Sequence, residues 1–302
     1  MFNDLIVGTD IDDTTQIGTL LDVDWERKEK EKIEQAFLND PQLLHERKES
    51  FASCTLETLF EKAYPVPPKL KPQTLSILHI VDKDQTKKFI SRCKEESVTV
   101  HTAFCAVVNA TIIKMLLDAG IDQPSYTISG LHAADCRVYY EGCVDEFGLG
   151  MGILDVTHSV EKEHAINNFW DSARKYHTKF KDQHLSRKAA LEHEIIEKLT
   201  NFNALVLLDK DGQDAPSKDM AQYSTTNMRD ITFLLGDCGD HVYLEFLDGL
   251  TTVHLLPFLW LSAFNTFRGR FLHSLQYNAH VITTETAEQF SKALFDMFAT
   301  VL

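Results

Sequence analysis

Basic residues are scarce in this chain: 30 lysines and arginines stand against 45 aspartates and glutamates, a formal net charge of −15. A surface so acidic repels phosphate backbones and anionic bilayers, which argues against nucleic acid or a charged membrane as partner. There is no CxxC pair either. The six cysteines, Cys54, Cys93, Cys105, Cys136, Cys143 and Cys238, are scattered without an even framework, the usage of a reduced, intracellular protein. The start, Met1 to Gly8, has no basic segment and no long apolar one, so no secretory signal is read there. No membrane span is expected, and the cytoplasm is the default location.

Local chemical signatures are missing too. None of the 13 histidines falls in an HxxxH or HExxH pattern. His177 and His184 share a helix face, but seven residues rise about 10 Å, too far for one ion. No metal site is expected. Gly148-Leu-Gly-Met-Gly152 has no following lysine and no G-x-G-x-x-G register, and a strand with close backbone approach explains it better than a phosphate cradle. Asp209-Lys-Asp-Gly-Gln-Asp214 lacks the ligand spacing of a calcium loop. There is no GxSxG elbow. Cys105, set among Phe104, Ala106 and Val107, reads as an inert apolar residue.

What the chain does have is core. Its 302 residues are 44% apolar and include 19 phenylalanines, enough for one large domain or two ordinary ones. Glu96–Gly120 reads as a helix apolar on almost every side, which belongs inside a substantial domain. Ser97 or Thr99 can cap its start and Gly120 can end it. His101, Asn109 and Lys114 interrupt it, as suits a core helix and not a bilayer span.

Ahead of it, Trp25–Leu38 is a charged, solvated helix, and Leu56–Ala63 a short one. Pro65-Val-Pro-Pro-Lys-Leu-Lys-Pro72 cannot be helical. The main boundary is placed there, giving segments 1–72 and 73–302. Beyond it α and β patterns alternate. Strands are expected at Thr74–Val81, Ser125–Leu131, Arg137–Tyr140, Ala204–Leu208, Asp230–Leu235, Val242–Leu247 and Arg270–Tyr277. Helices are expected at Asp84–Glu96, Glu161–His184, Arg187–Thr200 and from about Thr284 to the end. The class is α/β, a mixed sheet flanked by helices.

The order of four segments resembles a known family. They are CKEESVTVHTAFCAVVNA (Cys93–Ala110), DCRVYY with DEFGLGMG (Asp135–Gly152), FWDSARKYHTKF (Phe169–Phe180), and STTNMRD (Ser224–Asp230) with GRFLHSLQYNAHVITTETAEQF (Gly269–Phe290). Over some 230 residues, from about Pro72 to Leu302, they are similar to the C-terminal lobe of the CoA-dependent acyltransferase superfamily. That superfamily includes chloramphenicol acetyltransferase and condensation domains. The phthiocerol/phthiodiolone dimycocerosyl transferases and alcohol acetyltransferase-like proteins are the nearest in pattern.

The resemblance implies a chloramphenicol acetyltransferase-like fold of two lobes with a tunnel between them. It implies acyl-CoA or a carrier thioester as co-substrate, a small alcohol or amine as acceptor, and no bound cofactor. The family's chemistry depends on HHxxxDG, whose second histidine is the general base. No two histidines are adjacent in this chain. Asn3–Asp13 resembles the region just downstream of that motif, so the N-terminal lobe reads as largely missing, 1–72 as its remnant with the connector, and 73–302 as the C-terminal lobe. Two expectations follow: acyl transfer if a second chain supplies the missing lobe, or a non-catalytic binding or scaffolding module. Neither His101, at a helix start where the dipole lowers basicity, nor His132 reads as a replacement base. Arg137 and Ser224, Thr225, Thr226 and Asn227 are the tunnel-lining candidates, with His101 beside them; hydroxyls and an amide on one strand are donors suited to a thioester oxygen.

Overall fold

Thr99 caps the long apolar helix as its position suggests: its hydroxyl accepts from the Thr102 N–H at 3.1 Å. From Thr102 to Ile113 every residue is buried, and Gly120, at φ +83°, supplies the left-handed residue beyond its end. This is a computed structural model of the chain, and it describes residues 24–52, 59–65, 73–135, 151–185, single positions between 192 and 199, 221–234, and 244–302 apart from 246, 254, 255, 257 and 280.

The elements are α1 (Asp24–Asn39), α2 (Pro41–Ala52), α3 (Leu59–Ala63), β1 (Thr74–Val81), α4 (Lys83–Glu95), α5 (Val100–Asp118), β2 (Ser125–Asp135), β3 (Met151–Glu161), α6 (Lys162–Asn167), α7 (Phe169–Leu185), β4 (Ala221–Asp230), β5 (Phe258–Phe267), β6 (Arg270–Asn278) and α8 (Thr284–Thr300). The strands form one mixed sheet in the order β1-β6-β5-β4-β2-β3. Its two central joints, β5/β4 and β4/β2, are parallel and the outer three are antiparallel.

Helices α4, α5, α7 and α8 bury their apolar sides on one face of this sheet. Phe104 of α5 lies 4.8 Å from Phe264 and 5.0 Å from Phe271, ring centre to ring centre. Trp260 of β5 packs on Phe290 of α8 at 4.2 Å and on Phe60 of α3 at 5.2 Å. Phe60, upstream of the proline-rich stretch, is therefore buried in the same core. Helix α5 is long and apolar enough to cross a membrane, but most of it is enclosed by this packing. Val253, Phe258 and Leu261 form a second, smaller apolar cluster with Leu131 and Ala221. The chain before it is tied down there: the Gln276 side chain donates to Gly249 O at 2.6 Å and accepts from Thr251 N at 2.7 Å.

Several boundaries differ from the sequence expectation. Helix α1 is not wholly solvated, because Ile33 and Phe37, one turn apart, are buried against Ala134, Leu154, Ile195 and Ile196. The helix expected over Glu161–His184 is two, α6 and α7, broken at Asn168. No strand begins at Asp230; β4 ends there. Asp230 Oδ1 accepts from both the backbone N–H (3.0 Å) and the hydroxyl (2.6 Å) of Thr232, and a 3-10 turn follows over Thr232–Leu234. That local turn competes with strand extension. Leu244, Glu245 and Leu247 are likewise not in a strand. Strand β5 had no counterpart in the sequence reading. The expected strands Arg137–Tyr140 and Ala204–Leu208 and most of Arg187–Thr200 lie outside the described residues.

The β5–β6 hairpin turns across Arg268 and Gly269, both at positive φ (+50° and +78°). Two left-handed residues in a two-residue loop match the twist of the strands they join.

Candidate functional site

Cross-strand register decides what meets what. Gly130, Tyr223, Trp260 and Tyr277 pair across four strands, and the next row on the same face begins with His132, Thr225 and Ser262. Both rows face helix α5. That helix presents His101 and Cys105, one turn apart, to the β2/β4 end of the sheet. Tyr176 and Phe180 of α7 close the group from the side. Gly130 is required by the fit: a Cβ there would lie 2.8 Å from Tyr223 Cζ and 3.0 Å from His132 Nε2.

The resulting cluster is dense in polar atoms. His132 Nδ1 is 2.7 Å from Thr225 Oγ1, and its Nε2 is 2.8 Å from the Tyr176 hydroxyl. A neutral imidazole donates at one nitrogen and accepts at the other, so both of its ring positions are engaged. Tyr176 and Tyr223 hydroxyls are 3.5 Å apart. Cys105 Sγ lies 3.9 Å from His132 Nδ1 and 3.7 Å from His101 Nε2. The three ligand atoms of His101, Cys105 and His132 all lie within 4.8 Å of one another. Phe180 packs on both imidazoles, at 4.9 Å from His101 and 5.2 Å from His132. Cys105 and His132 are fully buried, and His101 is half-buried.

Burial sets the protonation of the group. Loss of water, then the neighbouring His101, hold His132 well below the usual imidazole range. Burial likewise pushes the Cys105 thiol and the Tyr176 and Tyr223 phenols upward. At neutral pH His132, Cys105 and the two tyrosines are therefore uncharged. Neither the thiol nor the engaged imidazole is placed to activate an acceptor in solvent. Farther along β3, burial and then Lys179 and Lys175 bring His158 down to about 4.

The sequence candidates divide between two faces. Thr225 belongs to this cluster, and Asn227, with the same parity, pairs with Phe264 on the helix side. Ser224 and Thr226 point to the opposite face, where Ser224 stands beside Leu261. That face is polar nearby: Gln222 accepts from the Ser129 N–H at 2.6 Å, and the Ser129 hydroxyl donates to Asp155 at 3.2 Å. His101 lies at the open side of the cluster. Arg137 lies outside the described residues. Cys105, His132, Tyr176 and Tyr223 were not singled out as site residues. The i, i+4 spacing of His101 and Cys105 is the one local signal of the cluster, and it is a mixed histidine–cysteine pair.

No protein-family model matches the chain, and no curated protein matches it. Solved structures do. A trichothecene 15-O-acetyltransferase from Fusarium sporotrichioides superposes with a TM-score of 0.64 at 9% identity, over 86% of this chain and 52% of its own. The condensation domain of the monacolin K polyketide synthase superposes at 0.58 and 11% identity, over 99% and 64%. The fold is that of the CoA-dependent acyltransferases and condensation domains. The epimerization domain of tyrocidine synthetase B has it as well, at 0.56 and 10% identity, over 99% of this chain and 63% of that one. One fold therefore hosts more than one reaction. The chain spans about half to two thirds of the length of these structures.

Proposed function

We propose that this chain is one lobe of a thioester-dependent acyltransferase, taking an acyl group from acyl-CoA or a carrier-bound thioester to a small alcohol or amine. The fold shared with an acetyltransferase over 86% of the chain carries the reading. In this proposal the thioester arm runs along the sheet face that bears Ser224 and Thr226, whose hydroxyls are suited to the thioester oxygen. The base comes from outside these 302 residues, because HHxxxDG is absent from them and His132 is buried, uncharged and hydrogen-bonded at both ring nitrogens. A second lobe, on a longer polypeptide or a separate chain, supplies it. Without that lobe the chain binds the thioester and does not turn it over.

A second reading is a non-catalytic binding or scaffolding module on the same fold, favoured by the missing HHxxxDG. Two measurements on the 302-residue chain separate them: equilibrium binding of CoA and acyl-CoAs, and thiol release with a panel of short-chain acyl-CoAs and alcohols. Both are repeated with an HHxxxDG-bearing lobe present. We expect binding in both formats and thiol release only in the second. Thiol release by the chain alone overturns the external base and sends the search to its own histidines. Binding without turnover in either format supports the non-catalytic module. No binding and no turnover overturns the thioester reading.

A further inference from the structure

Two imidazoles and a thiol are unusual contents for a core otherwise lined by Phe180, Phe264 and tyrosine rings. Buried polar groups are costly unless something satisfies them. His132 has partners for both nitrogens, and the sulfur of Cys105 lies 3.7 and 3.9 Å from the two histidines, with the Thr225, Tyr176 and Tyr223 hydroxyls also beside it. Those separations are informative. Ligands bound to one tetrahedral zinc at about 2.3 Å (sulfur) and about 2.0–2.1 Å (imidazole) lie roughly 3.3–3.6 Å apart. The two sulfur–nitrogen spacings need a contraction of a few tenths of an ångström to match, and the two imidazole nitrogens, with all three ligand atoms inside 4.8 Å, close further around an ion.

We propose that His101 Nε2, Cys105 Sγ and His132 Nδ1 form a binding site for a borderline divalent first-row ion, with zinc the best fit. Sulfur and two imidazoles select zinc and its neighbours over magnesium or calcium, which take oxygen ligands. Three protein ligands leave a fourth position, which falls to the Thr225 hydroxyl, 2.7 Å from Nδ1, or to a water. On binding, Cys105 gives its proton to solvent and coordinates as the thiolate, and the Thr225 hydroxyl releases Nδ1 to the ion. His132 keeps its second bond, between Nε2 and the Tyr176 hydroxyl at 2.8 Å: with Nδ1 on the ion, the ring proton sits on Nε2 and the hydroxyl accepts it. Such an outer partner orients a metal-binding histidine. The half-buried His101 marks the side from which an ion enters. The site does not depend on the acyl-transfer reading.

The test uses the full chain, stripped of metal and titrated with Co²⁺ alone, then with Zn²⁺. One Co²⁺ per chain is expected, with a thiolate-to-cobalt charge-transfer band and the visible bands of a four-coordinate ion, both displaced by one equivalent of Zn²⁺. Cys105→Ala abolishes the charge-transfer band, and Tyr176→Phe weakens Co²⁺ binding by about 10–100-fold. His101→Gln, at a half-buried position, weakens it at least tenfold and tests the site even where Cys105→Ala fails to fold. Absence of the band in the unaltered chain overturns the proposal. So does its survival in Cys105→Ala, or an unchanged Co²⁺ affinity in His101→Gln.

Discussion

His132 and Thr225 stand directly opposite each other on the parallel strands β2 and β4, both fully buried, and their side chains meet at 2.7 Å. The bond joins positions 93 residues apart. It is at once a sheet pairing and the centre of the histidine cluster.

Thr225→Val tests that bond, because valine keeps the shape and drops the hydroxyl. It leaves one nitrogen of a buried imidazole unpaired, and we expect a loss of about 1–3 kcal/mol. A urea midpoint moved by less than the error of the curve would mean that the bond contributes nothing in solution.

Gly130→Ala addresses the close approach of β2 to β4. The added methyl would overlap the Tyr223 ring at 2.8 Å, and shifting a buried tyrosine costs roughly 1–3 kcal/mol. Because the shortest contact is with the Tyr223 ring, with His132 Nε2 next at 3.0 Å, pairing it with Tyr223→Leu should cost less than the sum of the two single changes. A double-mutant cycle reads that difference directly.

Acid should unfold the chain partly through His273. It lies in the core opposite His79 on β1, with neither ring nitrogen hydrogen-bonded, and burial, then His79, push it down to about 3. The unfolded chain takes up this proton near pH ~6.5, the folded chain only near 3. Stability from this group is therefore whole above the unfolded value and is lost progressively as pH falls toward 3. His273→Leu should leave stability at pH 7 unchanged or higher and flatten the decline on the acid side. An unaltered acid limb in urea titrations at several pH values would show that His273 is not its source.

The C-terminal helix α8 depends on one cap. Thr283 Oγ1 accepts from Thr286 N at 3.2 Å, and Thr283→Ala should cost about 1 kcal/mol. Thermal unfolding measures it, and Thr283→Ser should restore most of the loss.

Most helices were legible because their signals are local; α2 (Pro41–Ala52) had no counterpart in the sequence reading. Thr99, Gly120 and Thr283 sit where caps and stops belong, and the stripe Ala287, Phe290, Leu294 repeats at helical spacing. Strand β5 was illegible for a physical reason: Phe258-Leu-Trp-Leu-Ser-Ala-Phe-Asn-Thr-Phe267 is buried almost throughout, so it shows no alternation between wet and dry sides. Strand β4 was half seen: its Ser-Thr-Thr-Asn run reads as one strand, but only the fold shows that Ser224 and Thr225 are buried and that alternate residues turn to opposite faces. The cluster was hidden because its parts come from four elements. Only the pair on α5, His101 and Cys105, is linked by sequence spacing; His132, Tyr176 and Thr225 arrive through strand pairing and helix packing that no local pattern encodes.

The two kinds of joint in the sheet also differ in when they can form. The β5–β6 hairpin closes through two residues, on a timescale of about 1–10 μs for such units. The β2/β4 joint must bring Gly130 to Tyr223 through a loop of more than 90 residues, and its entropy is lost before its contacts repay it. The row that holds His132 and Thr225 is thus among the last to close on the folding path. Weakening it, as in Thr225→Val, should speed unfolding while leaving the folding rate nearly unchanged.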